Sequence, residues 1–144
     1  MSDELQIYYL DDLAPGMTAS YARTVTETDV VLFAGLSGDN NPVHINEEFA
    51  TTTFARGRIV HGVFLGGLIS CVLGTRLPGP GAIYVGQSLR FKAPVRIGDT
   101  VKAQAEVLSV DLERRRVKLR TICLVRGREV CDGEAEVMLS RRED

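Results

Sequence analysis

The stretch Val63-Phe64-Leu65-Gly66-Gly67-Leu68-Ile69-Ser70-Cys71-Val72-Leu73-Gly74 decides the fold. At helical spacing it is apolar on nearly every side, yet at about a dozen residues it falls short of the ~18–20 needed to span a bilayer. Arg76 and Pro78 come directly after it. The spacing therefore predicts a helix enclosed by protein. Gly66, Gly67 and Gly74 each cost up to ~1 kcal/mol relative to alanine. Such a cost is expected where another backbone must come close.

Downstream, Pro78-Gly79-Pro80-Gly81 breaks the chain, and the remaining residues read as β to the end. Ile83, Val85, Gln87, Leu89, Phe91 and Ala93 alternate with Tyr84, Gly86, Ser88, Arg90 and Lys92, which predicts one half-buried strand. Val101, Ala103, Ala105 and Val107 give a second strand, and Val117, Leu119, Thr121, Cys123 and Val125 a third. A last strand, Val130 to Leu139, is expected to bury Cys131, Ala135, Val137 and Leu139 while Asp132, Glu134 and Glu136 face out. Upstream, Met17 to Val25 carries β-formers. Thr26-Glu27-Thr28-Asp29 then opens a helix of Val30, Val31, Phe33, Ala34 and Leu36 that Gly38 stops. Asn46 is placed to cap a shorter helix, Glu47-Glu48-Phe49-Ala50. A single antiparallel sheet with helices on one face is α+β. Here the sheet most simply curls round the helix that is apolar all round.

At 144 residues the chain fits one domain, residues 1–144. A chain of this size buries roughly 68–70% of its unfolded surface, enough for a core. A net charge of −2, from 17 basic and 19 acidic residues, argues against a nucleic-acid surface or a polybasic membrane anchor. The start, Met-Ser-Asp-Glu-Leu, shows neither the basic nor the apolar region of a secretory signal, so a cytoplasmic location is expected. Cys71, Cys123 and Cys131 form no Cys-x-x-Cys pair and lie in apolar or strand-like surroundings; all three are expected buried and reduced. With only two histidines, no metal site is expected.

Chemistry concentrates in Gly38-Asp39-Asn40-Asn41-Pro42-Val43-His44. Gly38 suits a positive φ, the two asparagines suit turns, and Pro42 fixes its own φ while pushing Asn41 towards extended backbone. A stiff loop of this kind can hold Asp39 and His44 on one water or one substrate proton. Equally, an aspartate in a helix-ending turn is a common cap, and a lone loop histidine is commonly just solvated. Spacing alone leaves both readings open.

Taken together, these features resemble the hot-dog fold, an antiparallel sheet wrapped round a long central apolar helix. Within it they are similar to the MaoC-like family of (R)-specific enoyl-CoA hydratases. Three stretches carry the resemblance: Phe33-Ala34 through Asp39-Asn40-Asn41-Pro42-Val43-His44; Arg58-Ile59-Val60-His61-Gly62; and Gly81 through Val95 with Gly98-Asp99. The resemblance implies hydration of trans-2-enoyl-CoA to (R)-3-hydroxyacyl-CoA, reversibly and without any cofactor. By the same resemblance, Asp39 and His44 are expected to handle the water and the backbone N–H of Gly62 to hold the oxyanion. It further implies that Ser70 and Leu73 match acyl-pocket positions of hydratases supplying polyhydroxyalkanoate precursors, though ordinary core packing accounts for them equally well. Asn41 is a candidate for substrate contact or for loop shaping. His61 is expected to satisfy loop backbone near the helix start, and Arg56, Arg58, Arg90, Lys92 and Arg96 are possible partners for the CoA phosphates.

The expected partners are an acyl-CoA substrate and a second copy of the chain, since one hot-dog sheet leaves an open edge and covers the central helix on one side only, and pairing in a homodimer would remedy both. Neither nucleic acid nor membrane is expected as a partner. Two other activities stay in view: a hydratase or dehydratase acting on acyl carrier protein, and a hot-dog acyl-CoA thioesterase. A non-catalytic acyl-CoA-binding module would be favoured only if Asp39 or His44 were missing.

Overall fold

The computed structural model describes residues 5–144. A 3-10 turn at Leu10–Asp12 leads into β1, Thr18–Thr24, and then α1, Glu27–Ser37. Thr26 caps α1 by accepting from the Asp29 N–H at 3.1 Å, while the Asp29 carboxylate accepts from the Thr26 N–H at 2.9 Å. This reciprocal pairing satisfies two amides that a helix start leaves open. Gly38 ends the helix at φ 79°, where a side chain would be strained, and its N–H reaches Ala34 O at 2.9 Å.

Next come two one-turn helices, α2 (Pro42–Ile45) and α3 (Glu47–Ala50), and then the central helix α4, Gly62–Thr75. The last part of the chain is β2 (Ile83–Gln87), β3 (Arg90–Phe91), β4 (Thr100–Asp111), β5 (Arg116–Val125) and β6 (Arg128–Met138). All pairings are antiparallel in the order β1-β4-β5-β6-β2, with β3 also on β6. Register shifts at Tyr84/Gly86, Val107/Ser109 and Cys123/Leu124 interrupt the ladders, and such bulges add twist and bend. The sheet thus wraps α4 in the hot-dog arrangement.

The core explains the wrap. Leu65, Leu68, Ile69, Val72 and Leu73 are buried on α4, against Val101, Ala103, Ala105 and Val107 of β4 and Val117 and Leu119 of β5. Alanines at the middle of β4 leave room for the helix, with larger valines closing either end. Each fully buried leucine, isoleucine or valine contributes about 1.5–3 kcal/mol relative to exposure.

Four expectations need correction. Residues 83–93 are two strands, not one: Ser88 is drawn onto β6, its N–H donating to Glu134 O and its Oγ accepting from Glu134 N–H, both at 2.9 Å. The half-burial expected there is met at Gln87 and Leu89 but not in the rest of the stretch, where Ile83 is 60% and Val85 45% exposed. The alternation is real, but β2 is the sheet edge and has little against either face. Cys71 is only part-buried, because it sits towards the open side of α4, whereas Cys123 and Cys131 are buried as expected and all three are free. The end of the stretch read as a stiff loop, from Pro42, is a turn of helix, with Pro42 at its first position, where the missing N–H costs nothing. One face of α4, carrying Val63, Gly67, Ser70 and Gly74, lies open in the single chain.

Candidate active site

The spacing from Asp39 to His44 works as a ladder of side-chain caps. Asp39 Oδ1 accepts from the Asn41 N–H at 3.2 Å, and Asn41 Oδ1 accepts from the Val43 N–H at 3.1 Å, capping α2. The single turn of α2 then brings His44 back over the acid, so that Asp39 Oδ2 faces His44 Nε2 at 3.9 Å. Asn41 is accordingly engaged in shaping the loop.

Partners distant in sequence hold the pair. His44 Nδ1 lies 2.8 Å from Ile59 O, and a carbonyl only accepts, so Nδ1 carries the proton and Nε2 of the neutral ring is left as an acceptor. His61 Nε2 lies 3.0 Å from Asp39 O, and the two imidazoles stack with centroids 3.8 Å apart at 26°. Arg58 donates from Nε to His44 O at 2.7 Å and forks onto Glu27 at 2.8 and 2.9 Å, fastening α2 to the start of α1. The 3.9 Å gap is too long for a direct hydrogen bond, and it separates two acceptors. A water about 2.8 Å from each would donate one proton to each.

Beside this pair the amino end of α4 is open. His61 is its N-cap residue and makes no side-chain cap; its carbonyl accepts from the Phe64 N–H at 3.1 Å, while the Gly62 N–H at the first helical position has no hydrogen-bond partner among the described residues. A Cβ on Gly62 would stand 2.9 Å from the Phe91 ring, so the position requires glycine while that ring stays in place. His44, Gly62, Leu65 and Phe91 line a cavity of about 360 Å³. A second, apolar cavity of about 470 Å³ runs along the open face of α4 past Phe33, Val63, Gly66, Gly67 and Ser70. A small extension of about 80 Å³ lies between Ser70, Leu73, Tyr84 and Val137. Tyr84 donates to Gln87 Oε1, and Gln87 donates to the buried Thr121 Oγ1 at 2.8 Å. Partial burial pushes the Tyr84 phenol up to about 12, so it remains a neutral donor near neutral pH. A larger hollow of about 710 Å³ under the β4–β5 turn is lined by charged residues such as Asp111, Arg114 and Lys118, far along the sheet from this pair.

Asp39, His44 and His61 each offer a possible metal donor atom, the three lying within 4.8 Å of one another. The stacked rings hold their lone pairs in nearly parallel planes, and each imidazole gives one nitrogen to a carbonyl and keeps the other free. Of the five cations considered for phosphate, Arg58 and Arg96 donate to loop carbonyls and Lys92 pairs with Glu129 and Asp132 at 2.8 and 3.0 Å. Arg56 and Arg90 are exposed, with no ion-pair partner among the described residues.

Comparison with known proteins bears on this geometry. Residues 13–127 match the family described as MaoC like domain. The chain belongs to the MaoC-like family. Its MaoC-like relatives include an (R)-specific enoyl-CoA hydratase of Rhodospirillum rubrum, 55% identical over 98% of both chains. A 3-hydroxybutyryl-CoA dehydratase of Methylorubrum extorquens is 48% identical over 100% of this chain and 92% of its own. Among solved MaoC-like structures, the unliganded R-hydratase of Pseudomonas aeruginosa superposes with a TM-score of 0.86 at 44% identity, covering 93% of this chain and 86% of that one.

The sequence pointed to Asp39, His44, Gly62, Asn41, Ser70 and Leu73. The structure brings the first three to one end of α4, and it puts Ser70 and Leu73 two to three turns along the same helix. The carbonyl of Ile59, the grip of Arg58 and the ring of Phe91 were not foreseen. A backbone oxygen leaves no mark in a sequence, and Arg58 looked like any other surface cation.

Proposed function

We propose that this protein is an (R)-specific enoyl-CoA hydratase that adds water to trans-2-enoyl-CoA and catalyses the reverse dehydration, with Asp39 and His44 handling the water and the Gly62 amide holding the thioester oxygen. The observation that carries this reading is the pair of facing acceptors, Asp39 Oδ2 and His44 Nε2, 3.9 Å apart beside an uncapped helix start. A water held between them has both protons engaged and a lone pair free for the β-carbon. As its oxygen bonds to that carbon, one proton passes to His44 Nε2 and the double-bond electrons move onto the thioester oxygen. The positive end of the α4 dipole and the Gly62 N–H stabilise that enolate. When it collapses, the α-carbon takes the proton back from the imidazolium, so water is consumed whole and both residues return to their starting state.

The acyl tail runs along the glycine-notched face of α4 towards Ser70 and Leu73. Phe33, Val63 and the two glycines supply an apolar wall for it. The working form is a homodimer, because β2 is an open edge and the exposed α4 face lies next to it. Three free cysteines fit the reducing cytoplasm. Among the described residues no helix is long and apolar enough to cross a membrane.

The test is the loss of conjugated-thioester absorbance with crotonyl-CoA and with a longer trans-2-enoyl-CoA. Asp39→Asn and His44→Gln should fold as the parent does, and each should lose about 10²–10⁴-fold in kcat. Release of free thiol without hydration would instead indicate a thioesterase. Inertness towards both CoA substrates would direct the search to acyl carrier protein.

A further inference from the structure

We propose that His61 is a positioning residue that fixes the acid, the imidazole and the oxyanion amide relative to one another. This rests on the hydratase reading above and extends it to a residue outside the Asp39–His44 pair.

His61 is only 2% exposed, so its polar atoms have to be satisfied by protein. Nε2 is satisfied, donating to Asp39 O at 3.0 Å, but Nδ1 is buried with no partner. The ring is thereby held in one form: neutral, protonated at Nε2 and bare at Nδ1, because a proton on Nδ1 would be a buried donor with no acceptor. The ring stacks on His44 at 3.8 Å, and Phe33 lies 4.7 Å away at a tilt of 59°. The same side chain therefore grips the main chain of the acid and supports the ring of the base.

Its place in the chain adds the third point. His61 occupies the N-cap of α4, where serine, threonine, aspartate or asparagine would normally accept from the second or third helical amide. Histidine here gives up that bond and turns its N–H to Asp39 instead. This has two results. No side chain caps the start of α4, whose Gly62 N–H has no hydrogen-bond partner among the described residues, and the Asp39 backbone is tied to the residue directly before Gly62. A capping side chain would bond the second or third amide instead and leave the Asp39 backbone untied.

The experiment compares His61→Phe, which keeps a flat ring but has no N–H, with His61→Gln, whose amide nitrogen can approach the place of Nε2. Each is measured for kcat and KM with crotonyl-CoA and for thermal melting. A misplacement on the order of 1 Å costs about 10²-fold. His61→Phe should therefore lose about 10²-fold in kcat with KM little changed, and His61→Gln should recover at least about tenfold of that loss. Equal kcat in the two folded variants, or wild-type kcat in His61→Phe, would overturn the inference. Imidazole nitrogen NMR of the unaltered protein gives a reading that depends on neither folding of a variant nor activity. At neutral pH His61 should be neutral and protonated at Nε2; a cationic ring, or the other tautomer, would overturn the proposal. A parent protein that does not hydrate crotonyl-CoA defeats the functional reading instead, and the NMR result still decides the His61 contact.

Discussion

Asn41 offers a way to separate loop shape from substrate contact. Its Oδ1 caps α2, so Asn41→Ala should lower stability by about 1 kcal/mol and reduce kcat, because the turn presenting His44 loosens. Asn41→Asp keeps an acceptor at the same place and should recover most of both. Melting temperature read beside kcat checks this, and a fully active, equally stable alanine variant would contradict the capping account. Asp39 and His44 were legible in the sequence because the intervening residues cap each other locally: every rung from Asp39 to Val43 is two residues long. The grips from Ile59, Arg58 and His61 cross 14 to 22 residues of chain. Nothing local encodes a contact of that reach, so His61 read only as a residue tidying loop backbone.

Among the elements, α1 was readable from end to end, since Thr26, Asp29 and Gly38 are signals that act within a turn. Its start should also give the protein an acid-sensitive contribution to stability. Arg23 donates to the Asp29 carboxylate at 2.5 and 3.2 Å and, with the Thr26 amide, holds that group below its ordinary value of 3.8. A depressed carboxylate stabilises the folded state fully above its unfolded pKa. The contribution fades as the pH falls below that value and through the folded one. Urea midpoints taken from about pH 6 down to about pH 3 should therefore decline less steeply for Arg23→Gln than for the parent. Thr26→Ala should lower the midpoint at every pH by about 1 kcal/mol equivalent. Parallel curves for parent and Arg23→Gln would dismiss the linkage. The stretch 83–93 was harder to read. Alternation reports which residues share a face, but not whether anything covers that face, and β2 has its apolar residues uncovered because it ends the sheet.

For the whole molecule, the open edge at β2 and the exposed row on α4 make a definite claim about assembly. The parent should sediment at twice the chain mass, and Val85→Lys, which puts a charge on the edge, should shift it towards the single chain. A parent that sediments as one chain at working concentration would remove the homodimer from the functional reading. The hot-dog class was legible because a helix apolar on every side can be satisfied only by a sheet that bends round it. That one side of the helix stays uncovered was legible too, but its residues, Val63, Gly67, Ser70 and Gly74, were not, since they depend on which face the strands leave bare.

That gap has a consequence for how substrate range can drift. On the proposed reading the first turn of α4 would meet the thioester, and the tail would be measured off against turns further down the same rod, where Ser70 and Leu73 line the far cavity. Bulk added or removed at those marks changes how many carbons fit without touching the groups that move protons. Selection, or an engineer, can therefore reset the gauge while the reacting end stays as it is.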